Sequence, residues 1–147
     1  MSPVVLQMQV DIPAPAESVW PWLVDWDNLD KWMLEASDFK VTSKHTEGLG
    51  VMAEATIRIA GIKTRDAIVV TGWDPPTMLE ISHLGWVKGT GLLRCQRDTH
   101  GTRLEWTETL IAPWGIFGRL GIFIVAPMMR KIFQRDLEQL RALVVGP

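Results

Sequence analysis

Residues Val51–Trp73 constrain the fold more than any other stretch. From Val51 to Ile59 apolar and polar residues alternate strictly. Val51, Ala53, Ala55, Ile57 and Ile59 fall on one side, and Glu54, Thr56 and Arg58 on the other. A period of two is the signature of a strand with one buried face. Ala60-Gly61 follows, and then a second strand pattern runs from Ile62 to Trp73. A two-residue turn at Ala60-Gly61 makes Ile59 oppose Ile62, so Ile57 opposes Thr64, Ala55 opposes Asp66 and Ala53 opposes Ile68. The inward set of the second strand is then Thr64, Asp66, Ile68 and Val70. A slip of one residue would reverse every assignment.

The remainder reads in the same terms. Val4–Asp11 is a first strand, ended by Pro13 and Pro15. Glu17–Val24 and Asn28–Leu34 are two short helices around a turn at Asp25 and Asp27. Phe39–Ser43, Met78–Leu84, Thr90–Arg97 and Arg103–Ile111 are further strands, giving six or seven antiparallel strands joined by short turns. Beyond Pro113 about thirty residues form one long helix. On the later strands Leu79, Ile81 and His83 point inward, as do Leu93 and Cys95, and Leu104, Trp106, Glu108 and Leu110. The inner face is therefore apolar, with Ala53 and Ala55 leaving room and three ionisable groups on it: Asp66, His83 and Glu108. An apolar pocket with a few convergent polar groups is the usual form of a small-molecule site.

Residues 118–140, GRLGIFIVAPMMRKIFQRDLEQL, divide in two. Met129, Phe133, Leu137, Leu140 and Val144 recur at helical spacing, with charged residues opposite, as in a helix packed on a sheet. Leu120–Met129 is apolar around its circumference. A membrane span needs roughly 20 apolar residues, and this run is shorter, bounded by Arg119 and Arg130. Its expected role is to line a cavity with Leu120, Ile124 and Met128 while its other side packs under loops. A membrane-surface or protein-interaction patch is the alternative. Pro127 removes a backbone donor, so a kink is expected there.

The order of elements carries local motifs. IPAPAESVW followed by Trp32, WDPP at Trp73–Pro76, and GRL followed by a proline-containing apolar run and a DLxxL ending (Asp136, Leu137, Leu140) resemble the polyketide cyclase/dehydrase and lipid-transport superfamily. This START-like (SRPBCC) resemblance spans the chain. It implies an α+β helix-grip fold, a single domain over residues 1–147, in which a curved antiparallel sheet wraps the C-terminal helix. It also implies a hydrophobic cavity for a lipid, polyketide or similar apolar molecule. The superfamily includes carriers, cyclases and aromatases, so fold alone does not decide between binding and catalysis.

On these grounds the expected ligand-contacting set is Ala53, Ala55, Ile57, Thr64, Asp66, Ile68, Ile81, His83, Leu93, Cys95, Trp106, Glu108, Leu120, Ile124 and Met128. Asp66, His83 and Glu108 are the candidates should the protein be an enzyme of the cyclase or dehydratase kind. Each also has a plainer reading: a salt bridge or a wet mouth for the carboxylates, a satisfied strand-end histidine, and a small core residue for Cys95. Trp20 and Trp32 are expected in the core, and Trp86 and Trp114 at an opening.

Other classes are disfavoured. The net charge is −2 and no basic cluster appears, which argues against nucleic acid. His45, His83 and His100 lie on separate segments without metal-ligand spacing, so no metal is expected, and no nucleotide motif calls for a cofactor. The lone Cys95 and the absence of a signal-like N-terminus suggest a cytoplasmic protein. Oligomeric state is left open.

Overall fold

A computed structural model describes residues 3–146. Strand β1 (Val4–Ile12) leads into helix α1 (Ala16–Leu23) and a 3-10 helix (Trp26–Lys31). Strands β2 (Ala36–Val41), β3 (Met52–Ile59), β4 (Ile62–Asp74), β5 (Met78–His83), β6 (Lys88–Asp98) and β7 (Gly101–Ile111) follow, and helix α2 (Gly115–Val145) completes the chain. All pairings are antiparallel, in the order β1-β7-β6-β5-β4-β3-β2. This is the α+β helix-grip architecture that the motifs implied, a curved sheet closed by α2.

The β3–β4 hairpin has the register expected from its turn: Ile59 faces Ile62, Ile57 faces Thr64, Ala55 faces Asp66 and Ala53 faces Ile68. Along β1 and β7 burial alternates residue by residue, placing Leu6, Met8, Leu104 and Trp106 in the core. Helix α2 lies against β1, and its side chains satisfy that edge. Gln134 Nε2 donates to Gln9 O at 2.8 Å, and Arg141 Nε to Asp11 O at 3.0 Å. Those carbonyls would otherwise be an open pairing edge.

Several details differ from the expected ones. The second short helix begins and ends earlier than Asn28–Leu34 and is a 3-10 turn. Trp26 is buried, and its indole N–H donates to Thr46 O at 2.8 Å, which pulls the turn inward. The strand expected at Phe39–Ser43 begins at Ala36, opposite Ile57, with an irregularity between Ser37 and Lys40 where Asp38 adopts φ 54. That bulge breaks the alternation on which sequence reading depends. The β4–β5 ladder shifts similarly between Val70 and Gly72.

Helix α2 runs unbroken through Pro127. Its N-terminal half departs from expectation on the outer side. Ile116, Phe117, Leu120, Phe123 and Ile124 are exposed to solvent rather than packed under loops. No helix among the described residues is long and apolar enough to cross a membrane.

Candidate functional site

Between the concave sheet face and α2 lies a cavity of about 390 Å³. Its sheet wall holds Ala53, Ala55 and Ile57 of β3; Thr64, Asp66 and Ile68 of β4; Ile81 and His83 of β5; Leu93 of β6; and Trp106 and Glu108 of β7. All are inward positions that the alternation assigned. Leu23, Trp26, Leu29 and Met33 close it on the side of the short helices.

Four assigned positions lie elsewhere. Leu120, Ile124 and Met128 do not line the cavity; all three are exposed. The helix presents Ile122, Val125, Met129 and Phe133 instead. These spacings of three and four continue, toward the N-terminus, the stripe already visible in Met129, Phe133, Leu137 and Leu140. The uniformly apolar run hid that phase. Cys95 is buried in the core and is absent from the cavity wall; burial pushes its thiol up to about 11.

Asp66, His83 and Glu108 meet in one cluster on the wall. His83 Nδ1 lies 2.9 Å from Asp66 Oδ2, and His83 Nε2 lies 2.9 Å from Glu108 Oε2. The plain ion-pair reading and the convergent-site reading therefore describe the same three side chains. Glu108 Oε1 accepts from Trp106 Nε1 at 3.1 Å. Trp106 is held in turn by Phe133, at a centroid distance of 4.8 Å, and edge-on by Trp32 at 6.1 Å. Burial alone would lower the pKa of His83. The hydrogen bonds that His83 donates to Asp66 and Glu108, with the negative charge of those groups, outweigh that and raise it from 6.5 to about 10. The cluster is thus an imidazolium clamped between two carboxylates, with one negative charge in excess.

Glycines make the cluster possible. His83 and Glu108 stand on β5 and β7, with β6 between them. The β6 residues facing them across the two ladders are Gly89 and Gly91. With no side chain at Gly91, the Glu108 carboxylate reaches across the intervening strand to the His83 imidazole. A Cβ on Gly91 would lie 2.7 Å from Glu108 Oε1, and one on Gly85 would lie 2.6 Å from Asp66 Oδ1. Gly91, two residues before the inward Leu93, was the available sequence signal for this clearance.

A second buried acidic pair was not anticipated. Asp136 is fully buried, and Glu35 lines the cavity. Asp136 Oδ1 accepts from Leu34 N at 3.1 Å. Arg135 Nη2 sits 3.8 Å from that oxygen and 3.9 Å from Glu35 Oε1. Asp136 Oδ2 and Glu35 Oε1 have no hydrogen-bond donor among the described residues. Burial, then the adjoining Glu35 carboxyl, raises the pKa of Asp136 to about 9. One proton shared between the two carboxyls satisfies both oxygens. Asp136 sits three residues after Phe133 on the inward stripe, and that spacing could have revealed it.

At the open end, Trp86 and Trp114 pack edge to face at 4.7 Å, and both are exposed. Trp86 and the exposed Ile62 also line the cavity and so mark its mouth.

This architecture recurs in proteins of known structure. TTHA0849 of Thermus thermophilus superposes with a TM-score of 0.82 at 22% identity, covering 97% of each chain. The ZhuI aromatase/cyclase of Streptomyces sp. R1128 superposes with a TM-score of 0.80 at 17% identity, covering 97% of this chain and 94% of that one. In sequence, the uncharacterized protein Rv1546 of Mycobacterium tuberculosis is 23% identical over 141 residues, covering 94% of this chain and 96% of the relative. The family model for polyketide cyclase/dehydrase and lipid transport matches residues 3–145, and the chain belongs to that family.

Proposed function

We propose that the protein binds one apolar small molecule, of lipid or polyketide type, in the cavity between sheet and α2, and acts as a carrier. The observation that carries this reading is the largely apolar cavity wall into which the Asp66–His83–Glu108 cluster is set. A volume of about 390 Å³ falls within the usual range for small-molecule sites. The test is titration with the neutral apolar dye Nile red. Saturable one-to-one binding is expected, lost when Ala53→Leu and Ala55→Leu fill the cavity. A folded protein that never binds the dye refutes the reading.

A cyclase-type reaction would use the same three residues. A general acid or base works best with a pKa near the working pH. His83 is instead held as a cation by two carboxylates, and both ring nitrogens are engaged. That favours an anchoring role over proton transfer.

The outer face of α2 supports a second role, contact with an anionic membrane surface. Ile116, Phe117, Phe123 and Ile124 are 63–81% exposed, beside the Trp86–Trp114 pair. Contiguous exposed apolar surface of this kind marks an interaction site. From Thr109 to Arg135 the chain has no Asp or Glu, whereas Arg119, Arg130, Lys131 and Arg135 are cationic. An apolar face with basic flanks and tryptophans suits the lipid interface. It adjoins the cavity mouth, where a carrier would load. This contact fits a protein acting in the cytoplasm at a membrane face.

A further inference from the structure

We propose that the cavity selects molecules ending in a hydrogen-bond donor, such as an alcohol, phenol or protonated amine, and discriminates against those ending in a carboxylate. This inference rests on the cavity being the binding site and adds the chemistry of the ligand's polar end.

The basis is an inventory of donors and acceptors on the wall. His83 could offer two N–H groups, but Asp66 and Glu108 take both, at 2.9 Å each. Trp106 could offer its indole N–H, but Glu108 takes it. The indole of Trp26 is committed to Thr46 O. Arg65 also lines the cavity, but its guanidinium is engaged by Asp38 O, Thr56 Oγ1 and Glu54. What the anchor leaves over is acceptor capacity: Asp66 Oδ1 and the second lone pairs of the engaged carboxylate oxygens. Thr64 can donate or accept and does not alter the balance.

The charge points the same way. Two carboxylates around one imidazolium leave a net negative anchor in an apolar enclosure. A ligand carboxylate brought there would meet like charge, with the His83 and Trp106 N–H groups already taken and only the Thr64 hydroxyl to donate, at the cost of its own desolvation. A hydroxyl or ammonium would meet a charged acceptor, a strong form of hydrogen bond.

The experiment is displacement of Nile red by matched probes at pH 7.5. Decan-1-ol and 1-methoxynonane are isomers that differ in possessing a donor. Decylammonium and decanoate are singly charged ions of matched chain length. The alcohol is expected to bind about tenfold tighter than the ether, since a hydrogen bond to a charged group commonly gives that much. Decylammonium is expected to bind at least tenfold tighter than decanoate. Asp66→Asn, or Glu108→Gln should the first variant not fold, is expected to narrow the ionic preference. If decanoate matches decylammonium, or the ether matches the alcohol, while Nile red still binds, the donor preference is wrong and the cavity reading stands. If neither dye nor any probe binds, the cavity reading fails and this inference with it.

Discussion

Gly91 stands directly opposite Glu108 across the β6–β7 ladder, and a Cβ there would lie 2.7 Å from Glu108 Oε1. That oxygen cannot simply swing away, because Trp106 Nε1 holds it. Gly91→Ala should therefore destabilise the protein by about 1–3 kcal/mol, the usual penalty for overpacking. Gly121→Ala is the matched control. Position 121 is helical and exposed, and its added Cβ meets nothing within 4 Å. There the better helix former should raise stability by up to ~1 kcal/mol. Urea denaturation of both variants checks the pair, and equal effects would show that the Gly91 clearance is unimportant.

Stability should fall on the alkaline side. The folded-state pKa of His83, about 10, exceeds its unfolded value of 6.5. Its stabilisation is fully present below pH 6.5 and is lost as pH rises through 10. Each pKa unit is worth ~1.4 kcal/mol, so the loss over this window should reach a few kcal/mol. His83→Gln should remove that slope. It should also cost up to ~3 kcal/mol near neutrality, because the buried Glu108 and half-buried Asp66 carboxylates then lose the cation between them. Denaturant midpoints measured across pH 6–10 decide both points.

The Glu35–Asp136 pair predicts the opposite outcome for a substitution. Asp136 has a folded-state pKa of about 9 against an ordinary 3.8, so the native state holds a proton that the unfolded state gives up. Stability contributed by this group is complete below pH 3.8 and declines as pH rises toward 9. Asp136→Asn keeps an oxygen for the Leu34 N–H and removes the charge. It should leave stability at pH 8 unchanged or higher and flatten the dependence between pH 5 and 9. A large loss at pH 8 would contradict the shared-proton account.

The exposed face of α2 predicts membrane binding that depends on charge. Co-sedimentation with vesicles containing phosphatidylglycerol should exceed that with pure phosphatidylcholine and fall as salt rises. Phe117→Ser with Phe123→Ser should weaken it at least tenfold without lowering Tm. Vesicle binding that is absent, with dimerisation through this face in solution, would assign the surface to a second copy of the chain.

Much of this site was legible because the side-chain period of a strand is two. One tight turn at Ala60-Gly61 set the register of β3 against β4, and the inward positions of β5 and β7 followed from the alternation within each strand. The convergence of Asp66, His83 and Glu108 needed more, since it depends on the order of strands and on the missing side chains of β6. Leu120, Ile124 and Met128 were misplaced for a physical reason. In a run apolar all round, hydrophobicity carries no phase, and the phase must be taken from the amphipathic turns that follow. Asp136 was overlooked because a carboxyl beside charged neighbours reads as solvated, and its proton-sharing partner lies about 100 residues away at Glu35. The bulges in β2 and β4 have no period to reveal them.

The central claim is that the cavity holds an apolar molecule with a donor at its polar end. Native mass spectrometry of the freshly purified protein, followed by extraction and identification of what is released, tests it most directly. The account predicts one bound molecule per chain, lost in the Ala53→Leu, Ala55→Leu variant, and bearing a hydroxyl, phenol or amine rather than a carboxylate. A bare protein mass in every preparation, together with no saturable uptake of Nile red, would contradict it.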